Sequence, residues 1–214
     1  MGDAAARPAP PASLTQLAAP EFKGQVAMAY PLFGTTATHG AILFACWGPA
    51  EACAFFERLA ANDMRIMEGN MTAAKAVAAG EIPLCTTDSD DACLLRGEGQ
   101  PIGWLPIHHE PAAADRGGAL MIPNTLALMA GAPHPEEGRA LIDYLLAPTV
   151  EARLANSPSR QIPLLRAADG FTTAALPADV RAMMAEPLID PQFHVAADYL
   201  EGSAEFFRAT FARP

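Results

Sequence analysis

Between Val26 and Gly97 the chain switches repeatedly from a short apolar run to a longer stretch with helical spacing. Val26-Ala27-Met28-Ala29 leads to a helical pattern through Ala41-Ile42-Leu43-Phe44. Arg65-Ile66-Met67 leads to Ala73, Ala74, Val77 and Ala78, and Ile82-Pro83-Leu84-Cys85 leads to Thr86-Thr87-Asp88-Ser89-Asp90-Asp91. Short runs bounded by Gly, Pro and hydroxyl residues read as strands, and strands separated by helices pair in parallel through crossovers. An α/β fold follows, with a parallel-rich sheet flanked by helices. Gly48 and Pro49 divide the first helical stretch, because Pro suits the first turn of a new helix, and Phe55, Phe56 and Leu59 give that helix an apolar face. Gly80 is placed to end the helix before the third strand.

Beyond this region the pattern is sparser. Strand-like Ile102-Gly103-Trp104-Leu105 and Ala119-Leu120-Met121-Ile122 flank a Pro- and Gly-containing loop that carries His108 and His109. Pro135 to Leu146 predicts an amphipathic helix, with Leu141, Ile142, Leu145 and Leu146 apolar and Glu136 and Glu137 in its first turn. A further helix is expected over about 149–155, an irregular Pro-rich stretch over 156–190 and a closing helix near 194–211. Pro8, Pro10, Pro11 and Pro20 make residues 1–24 read as a Pro- and Ala-rich linker.

The net charge of -10 in 214 residues excludes nucleic acid as a partner, since phosphate binding needs basic surface. No apolar run is long enough to span a bilayer. Met1 to Leu14 lacks the basic start and apolar core of a secretory signal, so the chain as written is expected to stay in the cytoplasm unless a segment precedes it. Cys46, Cys53, Cys85 and Cys93 have no CxxC spacing, which argues against zinc. They are expected to be buried small hydrophobes, with disulfides as the alternative.

Polar residues gather at each strand-to-helix boundary: Gly34-Thr35-Thr36-Ala37-Thr38, Gly69-Asn70-Met71-Thr72 and Thr86-Thr87-Asp88-Ser89-Asp90. In a parallel α/β sheet these boundaries share one edge, where helix-start amides and small hydroxyls suit an oxyanion or a carboxylate. The competing account is that Ser, Thr, Asn and Asp here only cap helices, Asp88 in particular. Asp88, Asp90 and Asp91 could also hold a hard cation, or could be an acidic first turn favoured by the helix dipole. No nucleophile or general base stands beside the loops, so binding is expected rather than catalysis. His39 and Cys46 are two helical turns apart, too far for a dyad. His108-His109-Glu110 could ligate a metal, but adjacent strand residues point to opposite sides, and a surface loop pair is the expected reading.

These blocks together resemble the bacterial extracellular solute-binding proteins of ABC importers, in the iron(III)-binding-protein-like branch of the type 2 periplasmic binding proteins. The resemblance runs from Lys23-Gly24-Gln25-Val26-Ala27-Met28-Ala29 through Pro31-Leu32-Phe33-Gly34-Thr35-Thr36-Ala37-Thr38-His39 and Thr87-Asp88-Ser89-Asp90-Asp91-Ala92. It continues in Ile122-Pro123-Asn124-Thr125, in Gly131-Ala132-Pro133-His134-Pro135-Glu136 with its following helix, and in Ser157-Pro158-Ser159-Arg160-Gln161-Ile162-Pro163-Leu164. It implies a two-lobed fold that closes on a solute and delivers it to a membrane permease, in the periplasm or outside the cell.

The resemblance further implies a ligand-binding second lobe over 25–118, a returning part of the first lobe over 119–170 and a C-terminal helical segment over 171–214. Gly34, Thr35, Thr36, Thr38, Asn70, Thr87, Asp88 and Ser89 are the expected ligand contacts, and Asp88 the expected metal contact. Ferric-binding members carry paired tyrosines where this chain has Asp88 and Ser89, so classical tyrosinate coordination is not expected. A small oxyanion, or Fe(III) or another cation held with a synergistic anion, is the expected solute, and no resident cofactor is implied. The signal peptide and first half-lobe of the family are expected to be missing, leaving apolar surface around 119–146 uncovered. The rival expectations are a non-binding lobe that self-associates through that surface, and more remotely a hydrolase.

Overall fold

The computed structural model describes residues 9–110, 117–166 and 170–211. Strand β1 (Val26–Ala29) lies between β2 (Arg65–Met67) and β3 (Leu84–Cys85), and both pairings are parallel. Ala27 stands opposite Arg65 on one side and Cys85 on the other, and Ala29 opposite Met67. Helices α1 (Gly34–Trp47) and α2 (Pro49–Ala61) cross from β1 to β2, α3 (Asn70–Ala78) crosses from β2 to β3, and α4 (Ser89–Gly97) follows β3.

Every residue of β1 is buried, because both sheet faces are covered. Strand alternation sends Val26 and Met28 into a core with Leu43, Phe44, Phe55, Phe56 and Leu59. Ala27 faces the other way, against Ala73, Ala76 and Ile82, where its small side chain lets α3 lie close to the sheet. The C-terminal stretch returns to this core as α8 (Phe193–Ala196), a 3-10 turn, and α9 (Leu200–Thr210). From α9, Phe207 is fully buried and meets Phe56 edge-to-face, with ring centroids 4.7 Å apart. Gly40 on α1 makes room for it: a Cβ there would lie 2.5 Å from Phe207 Cε2.

Several expectations shift. Residues 9–24 are packed rather than a free linker, since Leu14, Leu17 and Phe22 are buried in the aromatic core through 3-10 turns at Thr15–Ala18 and Pro20–Phe22. The prolines shape this segment without preventing burial, and residues 1–8 of the expected linker lie outside the described residues. Pairing at 102–105 and 119–122 gives way to a short antiparallel ribbon of β4 (His108–His109) and β5 (Gly118–Ala119). Pro101 and Pro106 bracket the earlier run, and a proline has no N–H to give to a ladder.

The chain divides into two compact units, Met1–Ile122 with Pro187–Pro214, and Pro123–Glu186. The C-terminal helix thus belongs with the sheet rather than forming a separate segment, because Phe207 and Phe211 pack there. The second unit holds α5 (Pro135–Leu145), α6 (Pro148–Ala155) and α7 (Ala178–Met184). Helix α7 stands inside the stretch expected to be irregular, where Pro177 starts it rather than breaks it and Val180 and Met183 are buried. Helix α5 has the predicted amphipathic pattern but buries none of its residues, and Leu141, Tyr144 and Leu146 are exposed. Among the described residues no helix is long and apolar enough to cross a membrane.

The Gly40–Phe207 contact yields a test. Gly40→Ala should destabilise the chain by about 1–2 kcal/mol despite the better helix propensity of Ala, because the new methyl overpacks a buried ring. Phe207→Leu should destabilise on its own, yet the double variant should lose less than the sum. Urea unfolding of the four proteins measures the coupling, and strict additivity would contradict the contact.

Candidate functional site

Parallel pairing brings the C-terminal ends of β1, β2 and β3 to one edge, and the helix starts after them follow. Tyr30 N–H donates to the Met67 carbonyl at 2.9 Å and Thr86 N–H to the Ala27 carbonyl at 2.9 Å, so the ladder holds the loops together just past the strands. Thr35 Oγ1 lies 2.8 Å from both carboxylate oxygens of Asp88. Asn70 Nδ2 donates to Asp88 Oδ2 at 2.8 Å and to Thr35 Oγ1 at 2.9 Å, while Thr36 Oγ1 donates to Asn70 Oδ1 at 3.2 Å. Thr87 Oγ1 reaches the Asn70 carbonyl at 3.2 Å and Asp91 Oδ2 at 3.4 Å.

None of these contacts is a helix cap. Helices α1, α3 and α4 start at Phe33, Gly69 and Asp88 without a side-chain cap bond. Asp88 occupies the cap position of α4, but its carboxylate is engaged by Thr35 and Asn70. The capping role expected of it is therefore not what its side chain does. Gly34 opens α1 with φ of 57°, a left-handed conformation that suits glycine, and Phe33 before it is exposed. Thr38 stands apart from the network, since its hydroxyl turns back to the Gly34 carbonyl at 3.2 Å in its own helix. Ser89 begins α4 and takes no part in the bonds named above.

Asp88, Asp90 and Asp91 can each bring one oxygen within 4.8 Å of the others. Burial and the charges of Asp90 and Asp88 raise the pKa of Asp91, opposed by its bond from Thr87. Burial, with Asp91 nearby, pushes the Cys85 thiol up to about 11, so it stays protonated beside the network. None of the four cysteines is in a disulfide; Cys93 is buried as expected, whereas Cys46, Cys53 and Cys85 are half-buried.

One contact escaped the sequence pattern. His109, expected on a surface loop, is buried in β4, and its Nε2 lies 2.8 Å from Nε2 of His39 on α1. The rings meet at 66° with centroids 4.9 Å apart. Seventy residues separate the partners, and no local spacing announces such a pair.

The chain belongs to the bacterial extracellular solute-binding protein family, which matches residues 3–179. Its fold is similar to apo ferric ion-binding protein A of Pasteurella haemolytica, at 18% identity, with a TM-score of 0.75 over 98% of this chain and 64% of that one. It is also similar to a ferric binding protein from Campylobacter jejuni, at 16% identity and a TM-score of 0.69, covering 92% of this chain and 62% of that one. A putrescine/agmatine-binding protein of Pseudomonas aeruginosa is 46% identical over 48 residues, which is 22% of this chain and 13% of that protein. The chain therefore spans less than two thirds of the relatives' length. The fold is that of the type 2 periplasmic binding proteins in part.

Because the Asp88 charge helps raise the pKa of Asp91, Asp88→Asn should lower it toward the ordinary carboxylate range. Carboxyl carbon NMR titration of both proteins reads this directly. An Asp91 titration unchanged by the substitution would mean that the two carboxylates do not sense each other.

Proposed function

We propose that this chain forms the ligand-holding part of a periplasmic solute-binding protein that delivers its cargo to the permease of an ABC importer. Thr35, Thr36, Asn70, Thr87 and Asp88 hold the solute at the sheet edge. Membership of a binding-protein family supports the general role. The network supports the location, since hydroxyl and amide side chains from the three loops meet there without capping any helix.

The observation that carries the ligand class is the position of Asp88. Its carboxylate already takes the hydroxyl of Thr35 and the amide of Asn70, donors that a free oxyanion would need. A second anion would meet an engaged donor set beside three carboxylates. A solute with positive charge would instead meet acceptors already oriented by hydrogen bonds. We therefore favour Fe(III) or another cation bound with a synergistic anion over a free oxyanion such as phosphate. A diamine is the second reading, supported by the match to the putrescine/agmatine-binding protein.

Calorimetric titration of the full chain with Fe(III)-citrate, putrescine and inorganic phosphate tests this. Saturable heat is expected with Fe(III)-citrate or putrescine and not with phosphate. Asp88→Asn should weaken that binding at least about tenfold, the scale of one charged hydrogen-bonding partner. Phosphate binding that strengthens in Asp88→Asn would overturn the charge assignment.

A further inference from the structure

His39 stands four residues after Thr35 and three after Thr36, so it shares their side of α1 one turn further in. It lines a small, mostly apolar cavity together with Thr36, Thr86, Leu14 and Met28. Across from it, His109 is anchored on the β4–β5 ribbon, whose pairing sets His109 opposite Gly118. The Nε2 to Nε2 distance of 2.8 Å requires one ring to donate an N–H and the other to offer a lone pair. Nδ1 of His109 is buried without a hydrogen bond, although the carbonyls of Ile107 and Gly118 lie close enough to favour a proton on that ring.

The charged and titratable surroundings are few. His108 adjoins His109 on β4, and Glu110 beyond it accepts the Thr15 hydroxyl of the N-terminal segment at 2.8 Å. That segment also bridges β4 through Ser13 and through Leu14 N–H, which donates to the His108 carbonyl. On the α1 side, Asp88 lies behind Thr35. None of these carboxylates is among the causes that set either ring, so the pair meets acid without a counter-ion.

We propose that His39 and His109 form a proton-released tie that positions the first turn of α1. The neutral pair holds that turn to β4, and acid frees it. A first added proton buries a cation in an apolar setting. A second occupies the lone pair that makes the bond, and two cations then face each other at contact distance.

Burial and the neighbouring ring hold His39 down to about 3, and burial holds His109 down to about 4, both from 6.5. Both rings are neutral in the folded chain, whereas the unfolded chain gains protons below 6.5. The tie is therefore at full strength above 6.5 and weakens as pH falls toward 4. That acid would loosen a bound solute rests on the reading of Thr35 and Thr36 as ligand contacts; the tie itself does not.

Two readouts on the full chain test the tie without a ligand: imidazole nitrogen NMR, and amide exchange at Thr35, Thr36, Ala37 and Thr38 corrected for intrinsic rates. Both rings should stay neutral in the folded chain down to about pH 5, while protection of the first turn should fall about tenfold or more as pH drops from 6.5 toward 4, because the opened turn takes up the protons first. His39→Gln and His109→Asn should each remove that acid step, and the wild-type titration decides alone where a variant fails to fold. Rings that titrate near 6.5, or a histidine step that leaves exchange unchanged, would overturn the proposal. A tie that behaves as described in a chain that binds none of the solutes would count against the proposed function alone.

Discussion

Parallel pairing of β1 with both of its neighbours is the constraint on which the rest depends. Strands that run the same way end on the same edge, and each must be followed by a crossover helix before the next can begin. That geometry gathers the residues after Ala29, Met67 and Cys85 into one place. The network of Thr35, Thr36, Asn70, Thr87 and Asp88 is a consequence of it, as the separations of 17 to 53 residues between these bonded partners make plain. The sheet edge is kept in register by burial on both faces, with aromatic side chains on one and alanines on the other.

The aromatic face also explains why the chain must come back on itself. Phe207 fills a space that Gly40 leaves open on α1, and it meets Phe44 and Phe56 at the angles expected of edge-on rings. Helix α1 is thus held along its length by different means. Its first turn is joined to Asp88 and Asn70 through hydroxyls, its next residues to β4 through His39, and its middle to α9 through Gly40.

Much of this was legible in the sequence, for identifiable reasons. The strands and helices between Val26 and Gly97 are announced by apolar runs that end in Gly, Pro or hydroxyl residues, and the edge they share follows from parallel topology. What was not legible depended on contacts between distant residues. Thr38 carries the same hydroxyl as Thr35, but its helical position turns it onto the Gly34 carbonyl. Asp88 looks like a helix cap until Thr35 and Asn70 are seen to claim its oxygens. Leu14 and Leu17 sit among prolines that suggest a linker, and only the aromatic core shows why they are buried. The His39–His109 contact has no local signature, since one partner lies on a helix and the other on a strand pair formed far along the chain.

The central claim is that the shared sheet edge holds a cationic solute through Asp88 and its partners. Its most direct test is amide shift mapping of the full chain with saturating Fe(III)-citrate, with the diamagnetic Ga(III)-citrate as the observed form, and with putrescine in parallel. The account predicts that one of these probes shifts Thr35, Thr36, Asn70, Thr87 and Asp88 as a group. Shifts concentrated on α5 or α9, with that group unmoved, would contradict it.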